Sequence, residues 1–109
     1  MTIQLVAYLL PAILMVLAVP LVLGIVPPNM LYGFRTSKTR SSPEIWYPAN
    51  RFAGWWMIAA GALTLGFNYV VLTMHPEWPE ETIIPWFAGA LVASMLLGAV
   101  ASMLYLRKL

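Results

Sequence analysis

Residues 3–26 read IQLVAYLLPAILMVLAVPLVLGIV and contain no charged side chain. A helix needs about 20 predominantly apolar residues to cross the hydrocarbon layer of a bilayer. This stretch meets that requirement, and Pro27-Pro28 closes it. Two later stretches repeat the pattern: FAGWWMIAAGALTLGFNYVVLTM at 52–74 and IIPWFAGALVASMLLGAVASMLYL at 83–106. Each exceeds the threshold of about 18 apolar residues without an internal charge. A water-soluble helical bundle needs a polar face on each helix, and these segments have none.

Composition agrees. Hydrophobic residues make up 61% of the chain and charged residues 9%, with a mean hydropathy of +0.81. A soluble domain carries about 25% charged residues. The chain therefore reads as one all-α membrane domain over 1–109, a three-helix bundle with spans at 3–26, 52–74 and 83–106. A loop at 27–51, a short loop at 75–82 and a tail at 107–109 complete it. The first stretch has no Lys or Arg before it and is much longer than the roughly 7–15 apolar residues of a signal peptide, so it reads as a retained span. Pro11 and Pro20 each remove a backbone donor inside it and tend to kink it. The absence of cysteine excludes disulfide and thiolate chemistry.

Charge placement predicts orientation. Arg35, Lys38, Arg40 and Arg51 lie in the first loop, and Arg107 and Lys108 in the tail. The second loop holds Glu77, Glu80 and Glu81 and no Lys or Arg. Basic residues favour the cytoplasm, which places the N-terminus outside and the C-terminus inside. Trp46, Tyr47, Trp55, Trp56 and Tyr105 then fall toward the inner interface and Trp78 and Trp86 toward the outer one, where amphipathic rings anchor. In the third span Ala90, Ser94, Gly98 and Ser102 recur every four residues. This stripe allows close helix approach, with another span of the same chain the favoured partner over a second copy.

The first loop carries the most pattern: PPNMLYGFRTSKTRSSPEIWYPANRFAG at 27–54. Gly33 suits a turn requiring positive φ. Ser42-Pro43-Glu44 reads as a helix start, with Ser42 as N-cap, Pro43 in the first helical position and Glu44 near the positive end of the dipole. Ser41 capping with Glu44 closing a capping box is the alternative. Pro48 is expected to kink the ensuing helix or to split off a short interfacial piece. The basic side chains set topology and attract anionic lipid. A sharper reading groups Arg35, Thr36 and the helix start after Ser42 into an anion site for a lipid headgroup or a peptide carboxylate. Glu44, Asn50 and Arg51 read as a polar network tying the loop to the span ends. Asn68, inside the second span, reads as an amide bonded to a neighbouring helix. His75 among glutamates reads as a solvated loop histidine, not a metal site.

Taken together, Asn29-x-x-Tyr32-Gly33-x-Arg35-Thr36-x-x-Thr39-x-Ser41-Ser42-x-Glu44-x-Trp46, followed by Asn50-Arg51-x-x-Gly54, resembles the SdpI-like family of bacterial membrane proteins. That signature joins a YG-x-RT segment at the end of one span to an S-x-E-x-W-x-x-x-N segment at the start of the next. The resemblance covers the shared three-span region. It implies a multi-pass protein of the bacterial cytoplasmic membrane and points to Asn29, Tyr32, Gly33, Arg35, Thr36, Thr39, Ser42, Glu44, Trp46, Asn50 and Arg51 as the motif residues. The family's namesake confers immunity to a secreted peptide toxin and signals by sequestering a repressor at the membrane.

Two functions follow as expectations. One is a binding or immunity protein that recognises a membrane-active peptide, or an envelope-stress signalling component with a regulatory protein as partner. The other is a small homo-oligomeric transporter or lipid-handling protein that uses the loop as a headgroup site. An enzyme is not expected: there is no Ser-His-Asp set, metal-ligand cluster or phosphate-binding glycine loop, and no cofactor is implied. Nucleic acid is a poor partner for a few charges fixed at a membrane.

Overall fold

A computed structural model describes residues 2–109. The first span begins with a helical turn, α1 (Thr2–Gln4), widens into a π-helical turn at Leu5–Leu9, and continues as α2 (Leu10–Leu23). A loop containing a 3-10 turn at Thr39–Ser41 leads to α3 (Pro43–Met74), and a tight turn leads to α4 (Glu80–Leu106). No strand occurs among the described residues. Three helices are long and apolar enough to cross a membrane. The molecule measures 51 × 23 × 19 Å.

The helices run up, down and up, so the first loop and the C-terminus share one end, here termed the loop end. All six basic residues lie there. Glu77, Glu80 and Glu81 lie at the other, the turn end.

The π-helical turn and Pro11 have a common consequence. Proline has no N–H to give the carbonyl four residues back, which here belongs to Ala7. Asn68 of α3, fully buried, supplies the missing donor: its Nδ2 lies 2.9 Å from the Ala7 oxygen. The buried side of the first span comprises Ala7, Pro11, Leu14, Ala18 and Leu21, spaced alternately by four and three. This is the seam of left-handed helix packing. Gly54 and Gly61 of α3 face it closely enough that an added Cβ at either would come within about 3.2 Å of the Ala18 or Pro11 main-chain oxygen. Small residues at such seams bring membrane helices together.

Gly24 ends the first span three residues before Pro27. Its φ is +72°, its N–H meets the Leu21 carbonyl, and Ile25 donates to Pro20. This is the paired bonding of a Schellman cap, which favours glycine in the left-handed conformation.

The structure revises the expectations around α3. Pro48 neither splits nor ends the helix, which runs unbroken from Pro43 to Met74. No separate interfacial helix exists in the loop. The loop proper closes at Ser42, and residues 43–51 form the first turns of α3. At 1.5 Å per residue the helix is about 48 Å long, against roughly 30 Å of hydrocarbon. Its first turns therefore extend beyond the apolar layer and carry the second half of the motif. Likewise α4 starts at Glu80, ahead of the expected span.

Ser42 occupies the N-cap position with extended backbone, but its side chain makes no capping bond; its carbonyl receives the N–H groups of Ile45 and Trp46. Ser41 does not cap either, since its hydroxyl donates to the Lys38 carbonyl. The small-residue stripe of α4 meets α3 of the same chain: an added Cβ on Gly98 would lie 3.3 Å from Trp56. Ser102 is buried beside it, whereas Ala90 is exposed.

Candidate functional site

The loop is organised by four side chains that bond to main-chain groups. Asn29 accepts from the N–H groups of Leu31 and Tyr32 at 2.8 and 2.7 Å through Oδ1, and donates to the Pro27 and Tyr32 carbonyls through Nδ2. Thr36 and Thr39 close the next turn reciprocally. The Thr39 hydroxyl accepts the Thr36 N–H at 2.6 Å and donates to the Thr36 carbonyl, while the Thr36 hydroxyl accepts the Thr39 N–H at 3.0 Å. Thr39 is buried.

Asn50 joins these turns to α3. Its Oδ1 accepts the Phe34 N–H at 2.5 Å, and its Nδ2 donates to the Phe34 carbonyl at 3.2 Å and to the Trp46 carbonyl at 3.0 Å. The carboxamide thus pairs with Phe34 as a second peptide group would. It does so at 2% exposure, where an unpaired amide costs about 1–3 kcal/mol. Gly33 makes room for it. At φ +112°, an added Cβ would lie 2.6 Å from Asn50 Oδ1 and 3.3 Å from the Trp46 ring. Asn50, Trp46 and Gly33 therefore interlock, Gly33 from the first motif segment and Trp46 and Asn50 from the second.

Trp46 and Arg51 tie α3 to the end of the first span. Trp46 is completely buried, and its Nε1 donates to the Val26 carbonyl at 2.7 Å. It is an internal post, not the interfacial anchor expected of it. Arg51 donates from Nε to the Val22 carbonyl at 3.1 Å. That oxygen is among the last four of α2, which have no intrahelical partner, and a cation there also complements the helix dipole. Tyr105 of α4 stacks on Phe52 just below, with ring centroids 4.3 Å apart.

The expected polar network is therefore partly assembled. Asn50 and Arg51 belong to it. Glu44 does not: it is exposed at the start of α3, and among the described residues no carboxylate pairs with a Lys or Arg, the one carboxylate contact being His75 Nδ1 to Glu77 Oε1 at 3.2 Å. Nor do the anion-site residues converge. The Arg35 guanidinium turns back to the Gly33 and Met30 carbonyls, Thr36 is engaged by Thr39, and Glu44 places a carboxylate at the helix start. At the turn end, Glu77 is held below the usual carboxylate range, first by a backbone N–H bond and then by His75.

Tyr32 stands apart. Its hydroxyl is buried and has no hydrogen-bond partner, and desolvation raises its pKa. It lines a half-open groove of about 450 Å³ under the loop. α4 packs along α3 and against the π-helical turn, where Ile3 and Ala7 meet Ile83 and Phe87, but it stands away from α2 toward the loop end. The space between them is the groove. Ala53, Met57 and Ala60 of α3 form its floor, and Tyr32-Gly33-Phe34 form its roof. Nothing in the spacing of the motif signalled this groove, which arises from the splay of two helices. Gly24 stops the first span short of the end expected at Val26, and a glycine three residues before Pro27 was the signal for that stop.

The folded loop on a three-helix frame defines the class: an all-helical protein with three helices suited to crossing a membrane and a structured loop between the first two. The chain matches the SdpI/YfhL protein family over residues 25–106, and it belongs to that family. The match covers the loop, α3 and all of α4; the first span, which ends at Leu23, lies outside it. No match was found to a curated protein or to a solved structure.

Proposed function

We propose that this protein works by binding, as an immunity or envelope-stress component of the bacterial cytoplasmic membrane. In this reading the loop and C-terminus face the cytoplasm, and the partner is a membrane-active peptide or a regulatory protein. The observation that carries the reading is the use made of the motif. Asn29, Gly33, Thr36, Thr39, Trp46, Asn50 and Arg51 build a hydrogen-bonded cap, and the loop offers no nucleophile–base pair. A motif spent on shape presents a surface. The exposed Lys38 and Glu44 lie on that surface, and six basic residues at one end favour a cytoplasmic location for it.

The test has two arms. A bacterial strain lacking the gene, and the same strain overexpressing it, are challenged with a panel of membrane-active peptides. Photo-cross-linking residues at Lys38 and Glu44 report partners in living cells. Altered sensitivity with a peptide or protein adduct is expected. Unchanged sensitivity in both strains with no adduct would overturn the proposal.

A further inference from the structure

We infer that Met30 and Leu31 form a lipid-inserting tip: their side chains enter the interfacial layer of the bilayer at the loop end, and the Arg35 and Arg40 guanidiniums beside them face anionic headgroups. The inference is separate from the proposed binding role, which rests on the Lys38 and Glu44 surface.

Three observations carry it. The first is exposure. Between Pro27 and Ser42 the exposed large apolar side chains are Met30 and Leu31, and Leu31, at 89%, is the most exposed of the large apolar residues described. The turn behind them is already satisfied. Asn29 pairs with the N–H groups of Leu31 and Tyr32 and with the Tyr32 carbonyl, and Arg35 takes the Met30 carbonyl. A segment with its backbone paired internally enters an apolar layer at a much lower cost than an open one.

The second is depth. At the loop end the three helices leave the apolar layer at one level. Arg51 reaches the Val22 carbonyl near the end of α2, and Phe52 stacks on Tyr105 near the end of α4. The charge-free run of α3 also begins at Phe52 and continues to Met74, about 34 Å at 1.5 Å per residue, against roughly 30 Å of hydrocarbon. The loop folds back onto this level. Phe34 is bonded to Asn50, and Tyr32 and Phe34 line the groove beside Leu21 and Ala53. Leu31 is one Cα step of about 3.8 Å from Tyr32, and the interfacial layer is about 5–7 Å deep on each side of the hydrocarbon. The side chains of the tip therefore reach that layer.

The third is charge. The Arg35 guanidinium donates to the Met30 carbonyl and that of Arg40 to the Met30 sulfur, and both arginines are exposed. Glu44 is the one acidic side chain at this end, against six basic ones. Apolar insertion and attraction to anionic lipid add for such a cluster. A protein partner would have to bring an apolar pocket and acidic groups together to a site that already borders lipid.

The chain has no cysteine, so a nitroxide can be attached to single-cysteine variants of the whole protein. Met30→Cys, Leu31→Cys, Lys38→Cys and Leu63→Cys are placed in vesicles of phosphatidylethanolamine and phosphatidylglycerol. Collision rates with oxygen and with a water-soluble nickel complex on both sides of the membrane are then compared. Labels at 30 and 31 should favour oxygen, with ratios between that of Leu63→Cys inside α3 and that of Lys38→Cys in water. Exchanging phosphatidylglycerol for phosphatidylcholine should move both ratios toward that of Lys38→Cys. Arg40→Gln, which leaves the Asn29 bonds in place, should lower the insertion equilibrium about fivefold, the factor that one basic side chain contributes at an anionic surface. Nickel accessibility at both 30 and 31 equal to that at 38, ratios indifferent to lipid charge and to Arg40→Gln, or a photo-cross-link from position 31 to a protein in living cells would each overturn the inference.

Discussion

Asn50 and Gly33 occupy one space. The carboxamide reaches Phe34 because the residue before it has no Cβ, and the backbone there adopts a φ of +112° that other residues avoid. Asn50→Ala leaves the Phe34 N–H and carbonyl unpaired in a buried site, so a loss of about 2–3 kcal/mol is expected. Denaturant titration in detergent checks the magnitude, and hydrogen exchange at the Phe34 amide checks the cause. Gly33→Ala should cost at least as much, because it combines backbone strain with a collision against Asn50 Oδ1. In function, Asn50→Ala, Trp46→Ala and Arg35→Ala are each expected to be more damaging than Lys38→Ala, since the Lys38 side chain is exposed and its place in the loop depends on its backbone. Equal tolerance at all four in the peptide-challenge assay would refute that ordering. Alkaline titration followed at the phenolate band should show, in the difference between wild type and Tyr32→Phe, a phenol ionising above pH 10.0. Burial favours its neutral form, so the folded loop is most stable below that pH and loses stability as the pH rises through the shifted value.

At the scale of the element, each span was legible in the sequence because apolar length alone decides membrane crossing. The ends and interruptions were less so. Pro48 suggested a kink or a split; α3 is not split and runs through it near the helix start, where one missing bond is readily absorbed. Pro11 suggested a kink, and the structure has a π-helical turn beside it and a donor from another helix. That donor, Asn68, was legible as an interhelical amide; its acceptor was not, because sequence spacing does not say which helix faces which. A double-mutant cycle tests the arrangement. Asn68→Leu should destabilise the bundle by about 1–2 kcal/mol. In a Pro11→Ala background, the helix supplies its own N–H to Ala7, and the same substitution should cost much less. Equal costs in both backgrounds would show that Asn68 is not replacing the proline's missing donor.

At the scale of the molecule, the structure divides the tryptophans. Trp86 is 75% exposed on the turn-end half and Trp55 57% exposed near the loop end, whereas Trp46 is sealed inside. Brominated lipids should quench the emission of a variant retaining only Trp55 or Trp86, and should leave one retaining only Trp46 nearly unaffected. The candidate site was legible as a list of residues and illegible as a shape. Motif spacing identified the residues that build the loop. The groove beneath it depends on the splay of α2 from α4, which no local pattern encodes. The ties between α3 and the N-terminal part of the chain share one further property. Asn68, Arg51 and Trp46 reach the Ala7, Val22 and Val26 oxygens, all of them main-chain atoms. A grip on backbone is blind to side-chain identity. The first span is thus held like an interchangeable part: another apolar helix with small residues on the seam, a proline in the same register and a glycine stop could take its place without any change to the three residues that hold it.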